Sequence, residues 1–305
     1  YVLTVVQVVI SAVFQPAQSA SIPNITSSRE LLTANALMAA SWSVMLAIGA
    51  ALGGVATSLF GSTAVFGLDA LTYLVSGYFI FRTVIPQEAG TGASGPILRI
   101  AHQEMVAGWR YLRSHGGVAR ISFAKATWAI GGGALVYMLA LAGERIDPDR
   151  QDIAIGALFA ARGIGTGIGP VIVRKYFGDR SKWPVVLGAC MVFSGLGYVL
   201  FGLLPWGYGL ALLVVAAHSS SGANWVLATV MLQERTVDQF RGRVFATEWL
   251  LVMAADAVSI LLASMLLEWG VLTLRATVVV FALVLVLSGA MWLQFVVPRE
   301  RQDHA

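Results

Sequence analysis

Apolar residues in this chain of 305 amino acids neither alternate nor return every third and fourth position; they run on, broken by short polar stretches. Nine such runs lie at about 1–22, 34–59, 61–84, 119–142, 153–173, 184–204, 207–232, 244–268 and 272–297. About 20 residues at 1.5 Å per residue cross the ~30 Å hydrocarbon layer of a bilayer, and each run is long enough. A β-barrel would show short segments of alternating polarity, whereas these stretches are apolar all round and rich in Gly and Ala. The pattern predicts an all-α integral membrane protein, a polytopic bundle with nine transmembrane helices.

The longest interruption, 85–118, opens with "PQEAGTGASGP", a flexible linker by its Gly, Pro and Ser content. "ILRIAHQEMVAGWRYLRS" follows, with Leu98, Ala101, Met105, Trp109 and Leu112 at helical spacing and Arg99, Gln103, Arg110 and Arg113 off that stripe. This predicts an amphipathic helix lying on the inner membrane face. The chain then divides into three spans (1–84), a linker (85–118), six spans (119–298) and a short tail (299–305).

Composition agrees with the pattern: 57% of residues are hydrophobic and 12% charged, against about 25% charged in soluble domains. Of the 20 Lys and Arg residues, Arg145, Arg150 and Arg275 fall on one side of the nine-span arrangement, Arg162 lies within a span, and the rest fall on the other side. Basic loops resist translocation, so that richer side is expected to be cytoplasmic, with the C-terminus on it. The charge-dense stretch "QERTVDQFRGRVFATEW" is then a cytoplasmic loop in which Arg241 and Arg243 anchor the backbone and complement nearby acids. The pI near 9.4 reflects orientation in the membrane, and no folded basic domain remains for nucleic acid. Cys190 stands alone inside an apolar span, so neither a disulfide framework nor a metal cluster is built from it. The outer loop "DPDRQD" lacks the Gly turn and distal Glu of a calcium loop. No metal, cofactor or enzymatic nucleophile is expected.

Residues 21–61 align without a gap on 230–270, an offset of 209, and at that offset the first three spans superimpose on the last three in order, loop length and loop charge. Spans four to six have no counterpart. The symmetry is the kind expected of transporters, and it predicts a twelve-helix protein of which this chain holds the last nine, lacking the first three helices. A shortened nine-helix protein is the alternative.

With "FQPAQSASIPNI…ELLTANAL" (14–37), "GLDALTYLVSG" (67–77), "AARGIGTGIGP" (160–170) and "FRGRVFA" (240–246), the chain resembles the major facilitator superfamily. The resemblance is narrower to its bacterial exporter branch of the transmembrane secretion effector type, which includes the enterobactin exporter and macrolide efflux proteins. It implies alternating access between two six-helix halves. The exporter signature of the fifth helix, usually Gly-Pro-x-x-Gly-Gly, stands here as "GAALGG", with Ala50 in place of Pro while Gly49, Gly53 and Gly54 remain.

Ionisable groups inside lipid are costly and mark functional positions. Asp69, Asp256 and His218 are the candidates for proton coupling, because a carboxylate or imidazole held in low dielectric takes and releases protons as access alternates. Each also has a structural reading: Asp69 as a cap or pair within the first bundle, Asp256 as a partner of Arg162 or Lys125, and His218 as an interhelical hydrogen bonder. Arg162, Ser221, Asn224, Trp128 and Tyr137 are candidates for lining a substrate cavity. Gly163, Gly165, Gly167 and Gly169 are read as packing positions that admit a neighbouring helix. The expected function is proton-coupled efflux of an amphiphilic small molecule from a bacterial inner (plasma) membrane, by a monomer whose partners are substrate, protons and lipid. Uptake through the same fold, or a non-transporting sensor or scaffold, are the alternatives.

Overall fold

The computed structural model describes residues 2–86 and 96–302, in which every regular element is helical. The α-helices are α1 (Val2–Ile25), α2 (Leu31–Arg82), α3 (Ile97–Ser114), α4 (Gly116–Ile146), α5 (Gln151–Tyr176), α6 (Trp183–Leu203), α7 (Ala211–Arg235), α8 (Asp238–Glu268), α9 (Leu274–Met291) and α10 (Val297–Gln302), with a π-helical turn at Trp292–Val296. Among the described residues, seven segments are long and apolar enough to cross a membrane: Thr63–Arg82, Gly116–Ile146, Ile153–Tyr176, Arg180–Leu203, Tyr208–Arg235, Asp238–Glu268 and Leu274–Gln302. The apolar runs at 1–22 and 34–59 fall within α1 and the first part of α2. α2 is interrupted at Gly61, where φ is 77° and ψ 160°, a conformation essentially reserved for glycine. The interruption falls between the second and third apolar runs.

Helices α4 to α9 pack on one another: α5 on α7, α6 on α7 and α9, and α4 on α5, α8 and α9. Ile121, Leu135, Leu139, Leu158, Leu187, Met191 and Leu227 are fully buried between them, while Phe193, Leu212, Val258 and Leu261 point outward and exposed, as they would toward lipid tails. Lipid is as apolar as leucine, so close van der Waals contact must hold the helices together. Small residues provide it. A Cβ on Gly131 would stand 2.7 Å from the Phe281 carbonyl of α9, and one on Gly195 would stand 2.8 Å from the Ala282 carbonyl. Between α5 and α7 the fit is reciprocal: Gly165 admits the Val215 carbonyl and Gly222 admits the Thr166 carbonyl, each within 2.5 Å of where a Cβ would be. Pro170 brings no N–H to that same Thr166 carbonyl, four residues before it.

The first part of α2 lies on α5 and α7, and α1 lies on α8. The second part, Thr63–Arg82, buries none of its apolar window. α8 ends in a left-handed turn at Gly270 (φ 66°), with the Val271 N–H donating to the Leu266 carbonyl at 3.0 Å.

α3 packs against the start of α8, by a face other than its apolar stripe. Gly108 sits against the Arg243 carbonyl and the Thr247 hydroxyl, Tyr111 stacks on Phe240 with ring centres 4.6 Å apart, and Glu104 pairs with Arg243. At about 3.6 residues per turn, this face lies roughly a quarter-turn from the line of Ala101, Met105 and Trp109. Ala101 and Met105 remain exposed, while Leu112 is buried.

Candidate functional site

In "HSSSGANW" on α7, His218, Ser221 and Asn224 recur every third residue and share one face. Ser219 and Ser220 turn back on their own helix, donating to the Val215 and Ala216 carbonyls at 2.8 and 3.5 Å. The shared face meets α4 and α6. Tyr198 of α6 and His218 share a hydrogen bond of 2.7 Å, both side chains being buried. The Trp128 indole N–H of α4 donates to the Ser221 hydroxyl at 3.0 Å, and Ser194 of α6 lies 3.0 Å from the same oxygen, so Ser221 joins three helices. Asn224 donates to the Leu187 carbonyl at 3.1 Å. Ser259 of α8 accepts from the Ala134 N–H at 3.0 Å.

Two charges border this cluster. Arg162 projects from α5 with its guanidinium 5.7 Å from the Trp42 ring of α2. Asp256 projects from α8 against Gly133 of α4, where a Cβ would occupy the space of the carboxylate. The two lie within electrostatic reach of each other, yet no ion pair joins them among the described residues. Arg162 Nε and Asp256 Oδ1 are both buried and without a hydrogen-bond partner among those residues. Leaving a charge unpaired in the interior costs several kcal/mol, and ionisable groups held inside membranes line ion and substrate paths.

Toward the end that carries residues 26–30, 177–182 and 236–237, several charges are matched. Lys125 pairs with Glu248 at 3.0 Å, the two side chains 3% and 2% exposed, and its ammonium lies 4.6 Å from the Trp225 ring. Glu300 of α10, fully buried, is held between Arg120 at 2.6 Å and Arg235 at 2.7 Å. Arg180 pairs with Glu234 at 2.7 Å and donates to the Ser28 carbonyl at 2.9 Å. Beside it, the hydroxyl and N–H of Ser181 donate to Asp179 and hold its carboxyl below the usual range.

The first two apolar runs are tied to the last six at this same end. Arg241 Nη1 donates to Asn24 Oδ1 at 2.6 Å and to Asp238 at 2.9 Å, while Asn24 Nδ2 donates to Asp238 at 3.0 Å. Asn35 donates to Gln233 at 2.7 Å, and Gln233 donates to the Ser19 carbonyl at 2.7 Å. Closer to the centre, Ser43 and Thr166 share a hydrogen bond of 3.1 Å.

The structure thus gathers Arg162, His218, Ser221, Asn224, Trp128 and Asp256 from four helices into one region. Tyr137 is 37% exposed, and no hydrogen bond or ring contact joins it to that cluster among the described residues. Asp69 is exposed on the second part of α2, where its backbone carbonyl accepts from Thr72 at 2.7 Å. Gly49 lies in the first part of α2 with open space around it; Gly53 and Gly54 are in the same helix, but their surroundings lie outside the described residues. Lys125 is not the partner of Asp256, because Glu248 takes it. Sequence reading passed over Tyr198, Ser194, Asn24, Gln233 and Glu300. The only signal for Glu300 was an acid among the arginines of "PRERQ".

Residues 1–247 match the family described as "Transmembrane secretion effector". Two curated proteins, the "Putative bacilysin exporter BacE" of Bacillus amyloliquefaciens and that of Bacillus subtilis, are each 26% identical to the chain over 281 residues. The alignment takes in 90% of this chain and 66% of each relative, so the chain spans just under two thirds of their length.

Proposed function

Because the chain belongs to the transmembrane secretion effector family of the major facilitator superfamily, we propose that the complete protein exports an amphiphilic small molecule from a bacterial plasma membrane, driven by protons and working by alternating access. The single observation that carries this reading is the unpaired Asp256 facing Arg162 beside the Tyr198–His218 pair. A carboxylate so placed gains or loses a proton at the centre of the bundle, and each change alters its attraction to Arg162. The bacilysin exporters named above support the outward direction.

The ties of Asn24, Asn35 and Ser19 to α7 and α8 act as a closed gate at one end. Because the basic residues concentrate there, that end is assigned to the cytoplasm, and the described conformation is the one shut toward the cell interior. Arg162, Ser221, Asn224 and Trp128 line the path, and the apolar character of the surrounding helices suits amphiphilic cargo better than sugars, which need many hydrogen-bond partners. The protein acts as a monomer.

The test is efflux from cells producing the complete protein. They should retain less of a fluorescent lipophilic cation than control cells, and an uncoupler should abolish the difference. Accumulation of the dye would replace export with uptake, and unchanged retention of a panel of such dyes would leave a sensor or scaffold.

A further inference from the structure

α3 presents three faces. Glu104, Gly108 and Tyr111 are taken up by α8. A second face carries Arg99, His102, Gln103, Arg110 and Arg113, all exposed, and none of its three arginines has an ion-pair partner among the described residues. The third is an apolar edge with Met105 42% exposed and Trp109 half-buried beside it. The only acid in the helix, Glu104, is spent on Arg243. α3 stops at Ser114 and α4, a helix long and apolar enough to cross a membrane, starts at Gly116, so α3 adjoins the end of a span.

Arg99 and Arg113 are about 21 Å apart along the axis at 1.5 Å per residue, too far for one phosphate but suited to a row of headgroups. A cationic face flanked by an apolar edge fits an anionic membrane surface, where the edge enters the acyl boundary and the cations meet phosphates. We infer that α3 binds anionic phospholipid headgroups through Arg99, Arg110 and Arg113, and that this binding steadies the closed gate through the docking of Glu104 and Gly108 on α8. The link is short. Arg243, which holds Glu104, lies two residues from Arg241, which holds Asn24. The lipid site stands independently of the transport reading; its coupling rests on the proposed gate.

The test uses the complete protein in detergent, titrated with dansyl-phosphatidylglycerol or dansyl-phosphatidylcholine, with energy transfer from tryptophan as the signal. Phosphatidylglycerol should saturate at a lower mole fraction, and the preference should fall about fivefold for each arginine changed to Gln. Equal binding of the two lipids would overturn the site. So would full preference in Arg99→Gln/Arg110→Gln/Arg113→Gln, or displacement by 10 mM-scale inorganic phosphate, on the order of a free-anion site.

The second arm follows the gate in nanodiscs through maleimide labelling of Ser19→Cys in a background from which Cys190 and any further cysteine of the complete protein have been removed. Adding phosphatidylglycerol to phosphatidylcholine should slow labelling severalfold. The effect should vanish in the triple arginine variant, and also in Gly108→Val, which keeps the arginines while pushing α3 away from α8. Lipid preference without any change in labelling would overturn the coupling. Loss of uncoupler-sensitive efflux from the unmodified protein would instead remove the transport reading and leave the lipid preference as measured.

Discussion

Two sets of charged groups in this molecule follow opposite rules. At the basic end, Lys125, Glu248, Arg120, Arg235, Glu300, Arg180 and Glu234 all stand in ion pairs. At the centre, Arg162 and Asp256 each keep a buried atom without a hydrogen bond and, unlike Glu248 and Glu300, stand in no ion pair among the described residues. Matched charges fix geometry, while an unmatched pair leaves a protonation state or a ligand free to decide the local electrostatics. The difference teaches that burial alone does not leave a charge free to respond: Glu248 is more deeply buried than Asp256, yet it is committed to a lysine.

The largest effect is expected at the matched end. Lys125→Met strands the Glu248 carboxylate and should destabilise the protein by about 3–5 kcal/mol, whereas Lys125→Met/Glu248→Met should recover most of that loss. Thermal unfolding in detergent measures both, and equal losses in the single and double variants would dissolve the distinction between the regions. Asp256→Asn should do the reverse, cutting uncoupler-sensitive efflux at least ~10-fold, about 1.4 kcal/mol in the rate-limiting barrier, while insertion and melting stay close to those of the parent. A melting loss comparable to that of Lys125→Met would make Asp256 a structural residue.

Gly222→Ala places a methyl against the Thr166 carbonyl and should cost about 1–3 kcal/mol through forced separation of α5 and α7. Asn24→Ala removes a side chain that bridges Arg241 and Asp238, with an expected cost of about 0.5–1.5 kcal/mol. That change should appear more clearly as faster maleimide labelling of Ser19→Cys than as a shift in melting. Unaltered labelling would mean that the contacts at this end are incidental to opening.

Long apolar runs were legible because lipid demands them: apart from a closed barrel, only a helix satisfies its backbone polar groups across that thickness. Even the interruption at Gly61 lay at the gap between two runs. The polar cluster was partly legible, since His218, Ser221 and Asn224 lie in one short motif. Their partners did not announce themselves. Tyr198 reads as an ordinary aromatic in "LGYVLF", and Ser194 and Ser259 as small packing residues, until the folded bundle sets them against His218, Ser221 and the Ala134 N–H. The docking face of α3 was hidden for another reason. The apolar stripe was visible, but a glycine notch and a Glu–Arg pair chose a different side for contact.

Thr166 contributes a last consequence. Its carbonyl has lost the amide that a residue other than Pro170 would have offered, and its hydroxyl meets Ser43 while its backbone abuts Gly222. The rod that α5 forms is therefore already missing a rung where neighbours on both flanks press against it. Flexing at that elbow ruptures no backbone bond, sparing about 1 kcal/mol of the work that an intact helix would demand.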